Sequence, residues 1–287
     1  MRDRSLTIPT RSGLTLAAHQ LGDLSNPTAL FLHGGGQTRF AWDKAMRRVA
    51  ESGWSAVAAD LRGHGESGWP EDGDYRIAAI ADDVASCVEW LGSEPVLVGA
   101  SLGGLASLYY LGEPEARGRA LVLVDVVIEV APEGAQHIRD FMLARPDGFA
   151  SLDEASDAVA AYGATGRRPA SGRGLLRNLR LGADGRYRWH WDPRLLGGPK
   201  SADVMRQTEE LARRARRIDL PVLLIRGGAS AVVSDRGVER LLDVLPRAEV
   251  VEVPDAGHMI AGDQNDRFAQ EIIRFLDRIR GTGSEQS

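Results

Sequence analysis

Short apolar runs alternate with amphipathic stretches along most of this chain, and this alternation constrains the fold more than any other feature. The apolar runs predict buried strands, and the stretches with apolar residues at helical spacing predict helices between them. Adjacent parallel strands need a long crossover connection, which a helix supplies. The pattern therefore predicts an α/β fold in which helices cover both faces of a mostly parallel sheet.

The pattern also sets the order of the elements. A Ser12-Gly13 turn separates the first two strands, which are predicted to form an antiparallel hairpin. The predicted strands span residues 6–8, 14–20, 28–32, 55–59, 95–99, 120–127, 222–225 and 249–253. The predicted helices span residues 40–51, 77–91, 103–111, 133–144, 152–162, 238–245 and 267–279.

Residues 128–215 interrupt this order. They contain two of the predicted helices, an Arg/Gly/Pro-rich segment at 166–174 and the aromatic sequence Tyr187-Arg-Trp-His-Trp191. We interpret the segment as a cap inserted over the carboxyl edge of the sheet. The predicted organisation is a core of residues 1–127 and 216–281, the inserted cap of 128–215 and a frayed polar tail of 282–287.

Composition excludes several classes of protein. The chain has 287 residues, 43% hydrophobic and 26% charged, which is typical of globular proteins. A net charge of −5 offers no basic field for nucleic acid or anionic lipid. No apolar run approaches the roughly 20 residues of a membrane span, and the first residues lack a signal peptide's apolar region. We therefore expect a cytoplasmic protein without a membrane or nucleic-acid partner. Cys87, the only cysteine, is expected to be a buried structural thiol.

The most informative hexapeptide is Gly99-Ala-Ser-Leu-Gly-Gly104, which lies between a predicted strand and a predicted helix. A Gly-x-Ser-x-Gly sequence in this context predicts a tight, strained turn that exposes the serine hydroxyl. The glycines are needed because a Cβ on either side would meet the neighbouring strand or helix. Ser101 is therefore the candidate nucleophile.

A serine nucleophile needs a base, and His258 is the candidate. It follows the last predicted strand, where a loop can return to the sheet edge, and the chain order of serine before histidine fits a nucleophile turn of this kind. His33 and His64 lie in glycine-rich loops and are interpreted as shaping those loops.

A developing oxyanion needs two backbone donors near the nucleophile. Leu102, directly after the serine, is predicted to supply one N–H group, and Gly35 in the run His33-Gly-Gly-Gly36 to supply the other. Gly36 and Gln37 are expected to lie beside the substrate. Trp189 and Trp191 are candidates for an apolar substrate wall, although packing within the insertion is an equally good interpretation.

These motifs resemble those of the α/β-hydrolase superfamily, within the group similar to cofactor-free haloperoxidases, esterases and epoxide hydrolases. The motifs that carry the resemblance are His33-Gly-Gly-Gly36, Asp60-Leu-Arg-Gly-His-Gly-Glu-Ser67, Gly99-Ala-Ser-Leu-Gly103 and Gly257-His258. The resemblance spans the chain and implies an eight-stranded, mostly parallel sheet with a helical cap after the sixth strand. It also implies chemistry without a cofactor.

The chain departs from the family pattern at the acid of the triad. The family places this carboxylate just after the seventh strand of the sheet, which corresponds to Ala231 or to Ser230, and neither residue carries a charge. Three explanations stay open: a deliberate replacement, a weakened or non-hydrolytic natural protein, or a substitute acid. Asp125, at the end of the sixth strand, is the best substitute, and capping of the strand end is its alternative role. Asp235 would need a shifted loop.

Two classes of function remain. Ser101 argues against the aspartate-nucleophile members of the superfamily and favours acyl transfer to water, so the first hypothesis is hydrolysis of a small to medium apolar ester or lactone. The second is a non-hydrolytic ligand-binding or receptor-like homologue, with a cofactor-free lyase or oxygenase as a third option. Both hypotheses imply a small-molecule ligand. The spacing of histidines indicates no metal site, and no phosphate loop is present.

Overall fold

The computed structural model describes residues 2–162, 172–197, 201–254, 256–257 and 265–282. The strands are β1 (Asp3–Pro9), β2 (Thr15–Leu21), β3 (Thr28–Leu32), β4 (Ser55–Ala59), β5 (Val96–Ala100), β6 (Ala120–Val124), β7 (Leu179–Leu181), β8 (Tyr187–Trp189), β9 (Val222–Gly227) and β10 (Glu249–Val253). The α-helices are α1 (Asp43–Glu51), α2 (Ile77–Leu91), α3 (Leu102–Leu111), α4 (Pro132–Leu143), α5 (Leu152–Tyr162), α6 (Ser201–Ala215), α7 (Asp235–Val244) and α8 (Asn265–Thr282). Short 3₁₀ helices span Arg39–Trp42, Gly172–Arg177 and Pro193–Leu196.

Eight of these strands form one sheet in the order β1-β2-β4-β3-β5-β6-β9-β10. The β1–β2 and β2–β4 pairs are antiparallel, and every other pair in this sheet is parallel. The predicted fold, a mostly parallel eight-stranded sheet of the α/β-hydrolase type, is confirmed. Strands β7 and β8 lie between β6 and β9 in sequence and form a separate two-stranded antiparallel sheet.

Each face of the sheet carries its own apolar core, which explains why the strands read as continuous apolar runs. In β3, Leu30 and Leu32 join one core, and Ala29 and Phe31 join the other. Side chains alternate across a strand, so a strand covered on both faces has no polar side. Helices α2, α3, α6 and α7 contribute to the first core, and α1 and α8 to the second. Cys87 is fully buried in α2, as predicted.

Several element boundaries differ from the sequence prediction, and the structure gives the physical reason for two of them. The strand predicted to reach residue 127 ends at Val124, because Asp125 adopts a positive φ of 49° and turns the chain out of the sheet. Helix α7 begins at Asp235, three residues earlier than predicted, because the Ser234 hydroxyl accepts a hydrogen bond from Gly237 N and caps its first turn.

Between β6 and β9 the chain forms α4, α5, the β7–β8 hairpin and α6. Only the first two helices of this segment were predicted. Helix α8 extends to Thr282, one residue into the segment expected to be frayed. The proposed division into core and cap stays a prediction. Within the described residues, no helix is long and apolar enough to cross a membrane.

Candidate active site

Ser101 occupies a sharp turn between β5 and α3, with φ of 45° and ψ of −116°. This backbone conformation is rare for a residue with a side chain and stores strain. The flanking glycines make the turn possible. A Cβ on Gly99 would lie 2.5 Å from the backbone of Gly104, and one on Gly103 would lie 2.4 Å from Leu32 O. The turn leaves Ser101 partly exposed at the carboxyl edge of the sheet.

The amino end of α3 lies directly behind Ser101. Gly103 N donates to His33 O (3.2 Å), and Leu105 N donates to Ser101 O (3.0 Å). Among the described residues, no acceptor is recorded for Leu102 N. The first N–H groups of a helix lack intrahelical acceptors and favour negative charge nearby. Leu102 N is therefore a helix N-terminal donor next to Ser101, and its oxyanion role stays a prediction.

Between Gly34 and Gln37, the loop after β3 has one N–H group without a recorded acceptor in the described part of the chain. Gly34 N donates to Gln37 Oε1 (3.0 Å), Gln37 N donates to Gly34 O (3.1 Å), and Gly36 N donates to His64 Nε2 (3.1 Å). Gly35 N is the group that remains. A Cβ placed on Gly35 would meet nothing within 4 Å, so this glycine faces open space. We call residues 33–38 the oxyanion loop, after the role predicted for Gly35.

The oxyanion loop abuts Ser101. A Cβ on Gly34 would lie 3.2 Å from Ser101 Cβ. Gln37, predicted to lie beside the substrate, is only 4% exposed, and its Oε1 atom holds the turn through Gly34 N. Gly36, also predicted there, is partly exposed.

His33 and His64 are buried and hold loops, as the sequence predicted. His33 Nε2 accepts from Leu61 N (3.0 Å), and its other ring nitrogen, Nδ1, therefore donates to Gly34 O (2.8 Å). Burial lowers the pKa of His33 to about 4 and that of His64 to about 3. Both imidazoles are therefore neutral at pH 7 and available as hydrogen-bond acceptors.

Asp125 lies at the carboxyl end of β6, the strand next to β5, and is fully buried. Its Oδ1 accepts a hydrogen bond from Gly227 N (2.9 Å), and its Oδ2 accepts one from the Ser230 hydroxyl (2.8 Å). Burying a carboxylate is costly unless donors orient and stabilise it. Ser101 N donates to Val124 O (3.3 Å), so the turn at Ser101 and the turn at Asp125 adjoin.

Two other positions considered for the acid, Ala231 and Asp235, lie at the surface. Ala231 is exposed, and its carbonyl packs against α4, where a Cβ on Gly134 would lie 2.2 Å from Ala231 O. The carboxylate of Asp235 is 85% exposed and forms an ion pair with Arg226. His258, the predicted base, lies outside the described residues. Gly257, its neighbour in sequence, packs against β9: a Cβ on Gly227 would lie 3.1 Å from Gly257 O.

Aromatic side chains of the inserted segment reach the oxyanion loop. Trp189 and Trp191 stack with ring centroids 4.9 Å apart, and Phe141 of α4 packs on Trp189. A Cβ on Gly36 would lie 3.2 Å from both Met142 Cε and Trp191 Cζ3. Trp191 thus contacts the loop directly, and Trp189 lies one ring further away.

Sequence reasoning missed Phe141 and Met142. Both lie near the end of the predicted helix 133–144. The apolar side chains of that helix were the sequence signal that could have identified them. Among the described residues, no group of three or more His, Cys, Asp or Glu side chains is arranged to hold a metal ion.

Comparison with known proteins gives consistent results. The family model for the alpha/beta hydrolase fold matches residues 27–264. The chain is 30% identical over 259 residues to Esterase Rv0045c of Mycobacterium tuberculosis, covering 87% of this chain and 82% of that protein. It is 29% identical over 273 residues to 2-(acetamidomethylene)succinate hydrolase of Mesorhizobium japonicum, covering 92% of each.

A solved structure supports the same relationship. The crystal structure of E-2-(acetamidomethylene)succinate hydrolase superposes with a TM-score of 0.79 at 25% identity, covering 96% of this chain and all (100%) of the other. These two relatives are thus an esterase and a hydrolase, and they match 87% and 92% of this chain.

Proposed function

Because this chain belongs to the α/β-hydrolase family and its relatives include esterases, we propose that it cleaves a small to medium apolar carboxylic ester or lactone through an acyl-enzyme. The observation that carries the proposal is the Ser101 turn, which adjoins two backbone N–H groups, those of Gly35 and Leu102, without recorded acceptors in the described structure. Two such donors beside a strained serine suit a tetrahedral oxyanion.

The reaction then proceeds in two halves. Ser101 Oγ attacks the carbonyl carbon while His258 takes the hydroxyl proton, and the N–H groups of Gly35 and Leu102 hold the oxyanion. The carbon–oxygen bond to the leaving group breaks, and His258 returns the proton to that oxygen. Water, deprotonated by His258, then attacks the acyl carbon. The bond between that carbon and Ser101 Oγ breaks, His258 returns its proton to Ser101 Oγ, and the acid is released.

We assign the role of the third triad member to Asp125. A triad acid fixes the tautomer of the histidine and stabilises its protonated form. Asp125 is buried beside the nucleophile turn with both carboxylate oxygens engaged, which suits a group that must stay ionised and fixed. Gly227, which donates to Asp125, also lies against Gly257, the residue before the proposed base. Ala231 supplies no charge.

The proposed substrate is a small molecule with an apolar portion, because two apolar residues of the insertion, Met142 and Trp191, lie against Gly36 of the oxyanion loop. Phe141 and Trp189 extend the same apolar surface. We propose that the inserted segment acts as a cap that selects the substrate. The proposed steps use only residues of the chain and water.

The test combines labelling and turnover. A fluorophosphonate probe should label the wild-type protein at Ser101, and a Ser101→Ala variant should take up no label. p-Nitrophenyl esters from acetate to octanoate should be hydrolysed by the wild type and not by Ser101→Ala. Absence of label at Ser101, even in an Ala231→Asp variant, would overturn the proposal.

The uncharged residue at position 231 favours one competing function, a homologue that binds a ligand without turning it over. In that case ester hydrolysis stays at background in both the wild type and Ala231→Asp, while a small apolar ligand raises the melting temperature. A cofactor-free lyase or oxygenase would likewise form no acyl-enzyme, so detection of an acylated Ser101 peptide by mass spectrometry excludes it.

A further inference from the structure

Three buried histidines from distant parts of the chain form a row behind the oxyanion loop. The ring centroids of His33 and His64 are 5.0 Å apart, and those of His64 and His190 are 6.5 Å apart. Their exposed fractions are 0%, 0% and 2%. His190 belongs to the inserted segment, so the row joins that segment to the core.

His64 holds the oxyanion loop by a specific hydrogen bond. Its Nδ1 contacts Arg62 O (3.0 Å), so the ring proton resides on Nδ1 and the lone pair of Nε2 accepts from Gly36 N (3.1 Å). Gly36 itself has a positive φ of 76°, so the bond helps to fix a glycine turn that the Gly34–Gln37 hydrogen bonds also hold.

His190 makes the corresponding bond one step further back. Its Nδ1 accepts from Gly65 N (2.6 Å), the residue that follows His64. Its Nε2 is buried and has no hydrogen-bond partner in the described structure. A buried unsatisfied donor costs roughly 1–3 kcal/mol. Apolar packing alone therefore does not explain an imidazole at this position. The hydrogen bond that the ring does make is the one it accepts from Gly65 N.

Further contacts dock the same part of the insertion onto the loop that carries His64. Arg180 donates to Gly65 O, and Asp192 N donates to Gly63 O (2.8 Å). The path therefore runs from the inserted segment through Gly65 and His64 to Gly36.

We propose that His64 is a positioning residue that sets the oxyanion loop through Gly36 N, and that His190 couples docking of the inserted segment to that loop through Gly65. The inference rests on the proposed function, since it assumes that the Gly35 N–H group stabilises an oxyanion. If the proposal holds, the oxyanion site is complete only when residues 177–194 are docked on the core.

The predicted effect follows from where the oxyanion forms. Removing one oxyanion donor outright costs about 10²–10³-fold in kcat. Loosening the turn that presents the donor should cost less, about 10–100-fold. The charge develops only in the transition state, so kcat falls while KM stays within about twofold.

The experiment compares paired variants. In His64→Gln, the amide oxygen replaces the Nε2 acceptor, and in His190→Asn it replaces Nδ1. His64→Ala and His190→Ala remove the acceptor. We expect kcat for p-nitrophenyl butyrate to fall about 10–100-fold in the alanine variants and to recover most of that loss in the amide variants. Equal losses in the alanine and amide variants, or unchanged kcat in His64→Ala, would overturn the proposal.

Two controls separate positioning from other causes. Val88→Ala empties part of the core in α2 and lowers the melting temperature without touching the loop, so its kcat should stay unchanged. Hydrolysis by the wild type and its absence in Ser101→Ala establish the proposed function independently. Amide exchange at Gly36 gives a readout without turnover. It should accelerate in His64→Ala and not in His64→Gln, and unchanged exchange rejects the positioning role.

Discussion

The Ser230 hydroxyl donates a hydrogen bond to Asp125 Oδ2 across 2.8 Å. Ser230 also accepts from Val232 N and Val233 N, each at 3.2 Å, so its hydroxyl ties the loop after β9 to the carboxylate at the end of β6. The family pattern places an acid in the loop after β9. In this chain the same loop supplies a hydroxyl donor, Ser230, to the carboxylate of Asp125 on the neighbouring strand. Function and stability should therefore both depend on this pair.

Asp125→Asn should remove most of the activity. The substitution keeps the size of the side chain and removes its charge, and loss of a triad aspartate lowers kcat about 10⁴-fold with little change in substrate binding. The matched control is Asp235→Asn, which breaks a surface ion pair with Arg226 worth less than about 1 kcal/mol. Steady-state kinetics should show a large loss in the first variant only. The reverse result would move the acid to Asp235.

Ser230→Ala should weaken catalysis less than loss of Asp125 itself. It removes one oriented donor from a buried carboxylate, a bond to a charged group worth about 1.5–3 kcal/mol, and we expect kcat to fall about tenfold. Ser234→Ala is the control, because it removes the α7 cap at a cost of about 1 kcal/mol without contacting Asp125. Urea unfolding should show both variants destabilised. A kcat loss of the same size in Ser234→Ala would attribute the effect to stability alone.

The sequence was sufficient to predict the fold and the turn at Ser101, because both depend on local patterns. Strands buried on two faces are apolar throughout, as β3 shows, and the turn at Ser101 needs glycine where a Cβ would meet backbone. Such requirements are written in consecutive residues. The burial of the Cys87 thiol was predicted in the same way, from the apolar face of α2.

Features set by distant contacts could not be predicted. The Gly65–His190 hydrogen bond joins residues 125 positions apart, and no local pattern indicates it. Helix α6 was missed because it is strongly polar, and few of its side chains that the structure describes are buried, among them Leu211 and Ala212. The early end of β6 depends on the positive φ of Asp125, a conformation that a non-glycine residue adopts only when tertiary contacts hold it.

Gly36→Ala should reduce activity far more than Gly35→Ala. Gly36 has a positive φ, and a new Cβ would lie 3.2 Å from both Met142 and Trp191. The same substitution at Gly35 meets nothing within 4 Å. We expect Gly36→Ala to lower kcat at least about tenfold by displacing the turn, with a strain cost of about 1–3 kcal/mol. Kinetics and thermal unfolding of the two variants test this directly, and equal effects would contradict the geometry of the loop.

Acid should destabilise the fold through the histidine row. Burial lowers the pKa of His33 to about 4 and the pKa values of His64 and His190 to about 3, whereas the unfolded value is about 6.5. Between these values the unfolded chain binds more protons than the native one, so the free energy of unfolding falls as pH falls. Above about pH 6.5 the histidines do not reduce the free energy of unfolding. Below that pH, each histidine that stays neutral in the native state lowers the free energy of unfolding by about 1.4 kcal/mol per pH unit.

His190→Asn removes one titrating ring while keeping an acceptor for Gly65 N, so it isolates this effect. Its free energy of unfolding, measured in urea at pH 7, 6 and 5, should decline less steeply than that of the wild type, by up to about 1.4 kcal/mol per pH unit. Burial raises the pKa values of the Asp60 and Asp83 carboxyls, which acts in the opposite sense, and the comparison of variant with parent cancels this contribution. Trp54→Phe, a buried change without a titrating group, should shift stability equally at every pH. Parallel pH profiles for His190→Asn and the wild type would show that the ring takes up its proton without unfolding the protein.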